Sequence, residues 1–210
     1  DGLTIVAITD AGTAAAAVKA GKIVMTTAGT SLGIEDALKL EKDLKGKYTV
    51  YWQPIVTDGW HVFGNVGREP WKDLRIIKAL RLATDQQDQQ KAFGAGHYKI
   101  GAPFPVDSWY GSTTEDLLKL PGYRIPKEQD IAEAKPLLKA AGYPAGTLKV
   151  KLLQYTEPGE AELPQVAEAV ASYYNDVGIQ ATLEPIDTAK VGSMGRAKEM
   201  ACCMWPNIIG

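Results

Sequence analysis

Glu69–Gly96, EPWKDLRIIKALRLATDQQDQQKAFGAG, is the stretch on which the fold of this chain turns. Pro70 suits the edge of a helix, because its ring fixes φ and it has no N–H to leave unpaired. Glu69 and Asp73 put negative charge where a helix N-terminus is partially positive. Apolar residues then recur at Leu74, Ile77, Leu80 and Leu82–Ala83, which predicts one buried stripe at helical spacing. Gln86 to Lys91 is polar on every side, and Gly94 and Gly96 end the element. The expectation is one amphipathic helix of a globular domain.

Upstream of it, the β-branched run Thr4–Ile8 predicts a short strand. Thr13 is placed to cap a helix over Ala14–Ala20, which Gly21 stops where a left-handed turn is wanted. Ile23–Thr26 predicts another strand, Gly33–Leu44 a second helix, and the alternation Tyr48, Val50, Trp52 a strand over Lys47–Val56. Pro54 and the turn Thr57-Asp58-Gly59 interrupt the chain before a strand over Trp60–Asn65. Few side-chain contacts restrain such a turn, so a hinge and a domain boundary are expected near Asp58. The expected domains are residues 1–58 and 59–210.

Downstream, Ala102–Gly122 is rich in Pro, Gly, Ser and aromatic residues. An ordered loop is expected there, because Phe104, Trp109 and Tyr110 have apolar area to bury. Helices are predicted over Lys127–Ala141, closed by Gly142, and over Leu163–Val177, ended by Gly178. Strands over Leu148–Tyr155 and Ile179–Glu184 flank the second of these. This strand–helix–strand unit is the clearest sign of a parallel sheet, and it sets the class as α/β. A short helix over Thr188–Lys198 and a strand over Met200–Trp205 close the chain, and no internal repeat is visible.

At 210 residues the chain has room for one large domain or two small ones, and 45% hydrophobic content allows a sizeable core. A net charge of −2 gives no basic field for nucleic acid. No apolar run approaches the roughly 18–20 residues of a membrane span. No signal peptide is visible and the chain starts at Asp1, which suits a processed or excised polypeptide. Cys202 and Cys203 are adjacent, a spacing that neither bridges easily nor holds a metal, and they read as small residues of a strand.

Enzyme chemistry finds no support. His61 and His97 are far apart, and neither sits in a metal-ligand spacing. No nucleophile elbow, phosphate loop or dinucleotide fingerprint is present, since Gly94-Ala95-Gly96 follows a helix instead of a strand. Glu157, Glu160 and Glu162 read as solvated charge before a helix. No catalytic residue, metal or cofactor is expected. A binding site has more support, because ligands of α/β sheets sit beyond the carboxyl ends of parallel strands. Tyr155, Glu157 and Trp205 would supply an aromatic wall and a polar group there. Trp60 and His61 would line the cleft from the hinge side. Core packing is the competing role for each aromatic.

Asp73–Asp85, DLRIIKALRLATD, resembles a signature of the extracytoplasmic solute-binding proteins of ABC importers, in the class with peptide-, nickel- and opine-binding receptors. Ala132–Gly146, AEAKPLLKAAGYPAG, and Thr13–Ile23, TAAAAVKAGKI, resemble two further blocks of that family, in the same order. Val24 stands where the family has Asp. The resemblance implies a periplasmic-binding-protein-like fold with mixed sheets flanked by helices. It covers mainly the second lobe, with part of the first, so a fragment of a longer receptor is expected.

The same resemblance implies capture of a small solute, peptide-like, opine, metal chelate or other polar molecule, between two closing lobes. Delivery to an ABC import permease would follow, from a monomer in the periplasm or outside the membrane, lipid-anchored or free after signal-peptide removal. Trp205 is similar to the family tryptophan that faces the ligand. Asn65 matches the end of the family's crossing strand, and with Trp109 it completes the expected binding set. Two departures bear on the solute. Peptide-binding branches have an Asp shortly after that Trp, and Pro206-Asn207-Ile208 follows here. The dipeptide branch grips the carboxylate with an Arg, and the matching position here is Glu157, so a cationic or neutral polar solute is expected. The alternatives are a small-molecule enzyme on the same architecture and a receptor fragment with no activity of its own.

Overall fold

The computed structural model describes residues 2–26, 32–51, 58–154, 162–197 and 202–208, with only the backbone of 58–60, 188–189 and 202–208. The chain divides into two compact units, Asp1–Gln53 with Thr156–Glu162, and Pro54–Tyr155 with Leu163–Gly210.

In the first unit, helix α1 spans Ala11–Lys19 and α2 spans Ile34–Asp43. The cap of α1 is Asp10 and not Thr13. The Asp10 carboxylate accepts the Thr13 N–H at 2.7 Å and the Thr13 hydroxyl at 2.6 Å. Asp outcompetes Thr one turn later because its charge also meets the helix dipole. Ala14, Val18, Leu32 and Leu40 form the small core, and Lys19 ties α1 to Asp43 of α2 at 2.8 Å.

The strands expected at Thr4–Ile8, Ile23–Thr26 and Lys47–Val56 are not formed among the described residues; 52–56 lie outside them. Leu3, Ile5, Val24, Met25 and Tyr51 are exposed instead. A β-branched run makes a strand only when a neighbour completes its ladder, and no described segment of this unit offers one.

The second unit opens with β1, Asp58–Gly64. The amphipathic stretch that follows is two helices, α3 at Leu74–Ala83 and α4 at Gln86–Ala92, and not one. Thr84 turns its hydroxyl back to the Leu80 carbonyl at 2.9 Å, and Asp85 caps the second helix by accepting the N–H groups of Gln87 and Asp88, each at 3.0 Å. Both side chains offer the backbone an alternative to continuing the helix. The buried stripe also differs from the expected one. Ile76, Ala79, Leu80, Leu82 and Ala83 are buried, whereas Leu74 is exposed in the first turn.

A one-turn helix, α5, spans Thr114–Leu117, and α6 spans Glu128–Ala140. Then come β2 at Lys149–Gln154, α7 at Leu163–Asp176, β3 at Gln180–Pro185, α8 at Thr188–Arg196 and β4 at Cys202–Ile208. The four strands form one sheet in the order β1-β4-β2-β3. β2 is parallel to both β3 and β4, and β1 is antiparallel to β4. The strand–helix–strand unit is thus formed as the sequence predicts.

One face of this sheet packs on α3, α6 and α7. Val150 and Leu152 of β2 meet Val166, Val170 and Tyr174 of α7, and Ile76 and Ala79 of α3 meet Ala134 and Leu138 of α6. β1 joins the same core through Val62 and Gly64. A Cβ at Gly64 would stand 2.8 Å from the buried Trp71 ring, so only glycine lets the strand lie there.

The start of α6 is held by Asp130, which is fully buried. It accepts the Gly122 N–H at 3.0 Å, Arg124 Nη1 at 3.1 Å and Lys127 Nζ at 3.1 Å. The loop before it is ordered, but not by burying its aromatics. Phe104, Trp109 and Tyr110 are exposed, while Ile100, Leu117 and Tyr123 form a separate small core. Asp107 fixes the turn by accepting both the N–H and the hydroxyl of Thr114, at 2.8 and 2.7 Å, and these bonds hold its carboxyl below the usual range.

Candidate functional site

β2 and β4 run parallel, so their carboxyl ends lie at one end of the sheet, and antiparallel β1 brings its beginning there. Trp205 stands opposite His61 and Trp60 stands opposite Pro206. Tyr155 follows Gln154, the last residue of β2, and Gln154 is level with Met204, one residue before Trp205. The ladder therefore brings Trp60, His61 and Trp205 to one end of the sheet. Tyr155 and Glu157 themselves lie outside the described residues.

Register also separates some of the expected set. Successive strand residues belong to opposite faces, so position 61 shares a face with position 205 and position 60 does not. His61 is exposed and stacks on Phe63 at 5.7 Å with 26° between the rings. Phe63 is 45% exposed, and the pair presents an aromatic surface on the side of β1 turned away from the helices.

Asn65 follows the far end of β1, beside the start of β4, so it stands at the opposite end of the sheet from Trp205. There its side chain accepts the Gly67 N–H at 3.0 Å and shapes the turn out of the strand. Trp109 is 94% exposed on the loop before α5, and its ring meets the edge of Tyr110 at 4.9 Å. No described contact joins it to the strand ends.

One residue at this end escaped the sequence reading. Gln154 is buried at 6% exposure, beside Pro185 of β3 and Met204 of β4. Its signal was a polar side chain closing the otherwise apolar end of the strand LKVKLLQ.

A second hollow, of about 180 Å³, lies between α4 and the start of α6, lined by Asp85, Gln87, Asp88, Lys91, Arg124 and Lys127 among others. Two of its cations, Arg124 and Lys127, are engaged in bracing the fold. Arg124 binds Asp130 and, at 2.7 Å, Glu133, and Lys127 binds Asp130 and the Gly122 carbonyl. Beside it the Tyr173 hydroxyl donates to Asp88 at 2.5 Å. Burial and that carboxylate push the Tyr173 hydroxyl pKa well up. Among the described residues no group of His, Cys, Asp and Glu is arranged to hold a metal ion. No described helix is long and apolar enough to cross a membrane.

The mixed sheet packed on helices is an α/β lobe of the periplasmic-binding-protein type. The profile of the bacterial extracellular solute-binding proteins, family 5 Middle, matches residues 1–206, and the chain belongs to that family. Among solved structures, Haemophilus influenzae OppA in complex with the peptide RPPGFSPFR is similar at 25% identity and a TM-score of 0.67, over 94% of this chain. The Escherichia coli murein tripeptide binding protein MppA is similar at 24% identity and a TM-score of 0.68, over 95% of this chain. Brucella suis NikA in complex with Fe(III)-EDTA shares the fold at 19% identity and a TM-score of 0.65, over 95% of this chain. The chain spans about 38% of the first two and 40% of the third. No curated protein matches it.

Proposed function

We propose that this chain is part of an extracytoplasmic receptor that captures a small polar solute and presents it to an ABC import permease. The observation that carries the reading is the ladder register that brings Trp205, His61 and Trp60 to the end of the sheet where β2 and β4 finish. Membership of the solute-binding family supports it. Residues 1–58 belong to one lobe and 59–210 to the other, the chain hinges near Asp58, and the lobes close on the solute. The working receptor is monomeric, and it carries out no chemical step.

Glu157 sets the charge preference. A carboxylate in the cleft repels the carboxyl group of a zwitterionic dipeptide and attracts a cationic solute. Calorimetry of the purified protein with ordinary dipeptides tests this, and micromolar binding would sink the preference. Native mass spectrometry tests the receptor reading itself, since a mass excess over the denatured chain identifies a carried solute.

A second reading has its own support. Tyr51 is 88% exposed and Ile5 85%, so the first unit displays apolar residues that a complete lobe would cover. On this reading the chain has no independent activity. Self-association in sedimentation, with no solute in the native mass, favours it.

A further inference from the structure

The charges around the hollow between α4 and the start of α6 do not all find partners within the fold. Asp85, Asp88 and Lys91 line it from successive turns of α4, and Arg124 and Lys127 line it from the loop before α6. Arg124 and Lys127 are answered by Asp130 and Glu133. One oxygen of Asp85 accepts the N–H groups of Gln87 and Asp88, and one of Asp88 accepts the Tyr173 hydroxyl. The second oxygen of each carboxylate and the Lys91 ammonium have no partner among the described residues.

A further acceptor lies alongside. The adjoining cleft shares Asp85, Gln87, Arg124 and Lys127 with this hollow and is also lined by Gln86. The Gln86 Oε1 atom is buried without a hydrogen-bond partner among the described residues. A buried acceptor in that state costs stability until a donor reaches it.

The lining selects by charge. An anion drawn to Lys91 meets Asp85 and Asp88, and a cation drawn to those acids meets Lys91 and Arg124. An apolar molecule would strip water from all of them and pair with none. A molecule that carries both charges close together answers both signs. The volume of about 180 Å³ lies below the roughly 300 Å³ at which pockets for drug-sized ligands begin, so a single amino acid fits better than a peptide.

We propose that this hollow is a binding site for a small zwitterion of the α-amino acid class. The ammonium group has Asp85, Asp88 and Gln86 Oε1 as acceptors for its three N–H donors, and Lys91 takes the carboxylate. The site is separate from the strand ends and does not rest on the receptor reading.

The test is a titration of the ¹⁵N-labelled protein with L-alanine, beside ethylammonium and propionate, which each keep one of its two charges. L-Alanine should shift the backbone amides of residues 85–91 and 124–127 saturably. Each single-charge probe should bind about tenfold more weakly or worse, and Lys91→Ala should weaken L-alanine about five- to tenfold. Lys91 is exposed and unpaired, so that variant should melt as the parent does. No saturable shift in these segments, equal binding of the three probes, or unchanged binding by Lys91→Ala would each overturn the inference. Shifts confined to residues 204–206 would also overturn it, while leaving the receptor reading standing.

Discussion

Asp130 shows how much one side chain can decide. It lies at the start of α6 with no exposed surface, and it holds the 122–127 loop by a backbone N–H and two cations. Arg124 and Lys127 are 17% and 13% exposed, so removing the acid leaves two poorly hydrated cations with only Glu133 and the Gly122 carbonyl between them as partners. Breaking a buried pair in this way is far worse than never having one. Asp130→Ala should therefore cost about 3 kcal/mol in urea unfolding, whereas an Ala at exposed Asp116 should cost less than about 1 kcal/mol. Equal effects of the two would refute the bracing role. Nothing in the pattern IPKEQDIAEA marks Asp130 as buried, since an acid in a first helical turn reads equally well as a dipole partner in solvent.

At the scale of elements, the join between α3 and α4 depends on Asp85. Its carboxylate takes two of the N–H groups that a helix start leaves unpaired. Asp85→Ala should destabilise the protein by about 1 kcal/mol and speed hydrogen exchange in Gln86–Ala92 ahead of α3. Unchanged exchange there would show that packing, not the cap, holds α4.

The sequence reading placed α6, α7, β2 and β3 within a residue or two, because each carries its own apolar pattern and each of the two helices has its own glycine stop. Gly142 and Gly178 adopt φ of +89° and +90° where those stops were expected. It ran α3 and α4 together because Thr-Asp is compatible with a helix until both side chains turn on the backbone. The candidate site was legible as a set of strand ends, since strand direction follows from the strand–helix–strand unit. Its membership was not. The pairing of β1 with β4 puts Asn65 at the wrong end and separates Trp60 from His61 by face, and pairing partners are not written in either strand.

Across the whole molecule, the two units differ in how much they bury. Among the described residues the first has a core of Ala14, Val18, Leu32 and Leu40, two of them no larger than valine. The second joins a sheet face to three helices through side chains as large as Trp71 and Tyr174. Local stability follows buried apolar contact. Limited trypsin digestion should therefore cut first within residues 2–51, at sites such as Lys22 and Lys47, and leave a fragment carrying α3, α6 and α7. First cuts inside α6 or α7 would contradict the ranking.

The order β1-β4-β2-β3 also sets a timetable. During synthesis β1 emerges early, yet the strand that pairs with it, β4, follows both β2 and β3 in the chain. Asp58 must wait for Ile208, and until then β2 and β3 can form their parallel pair while β1 stays without a ladder. The sheet cannot close stepwise behind the growing chain.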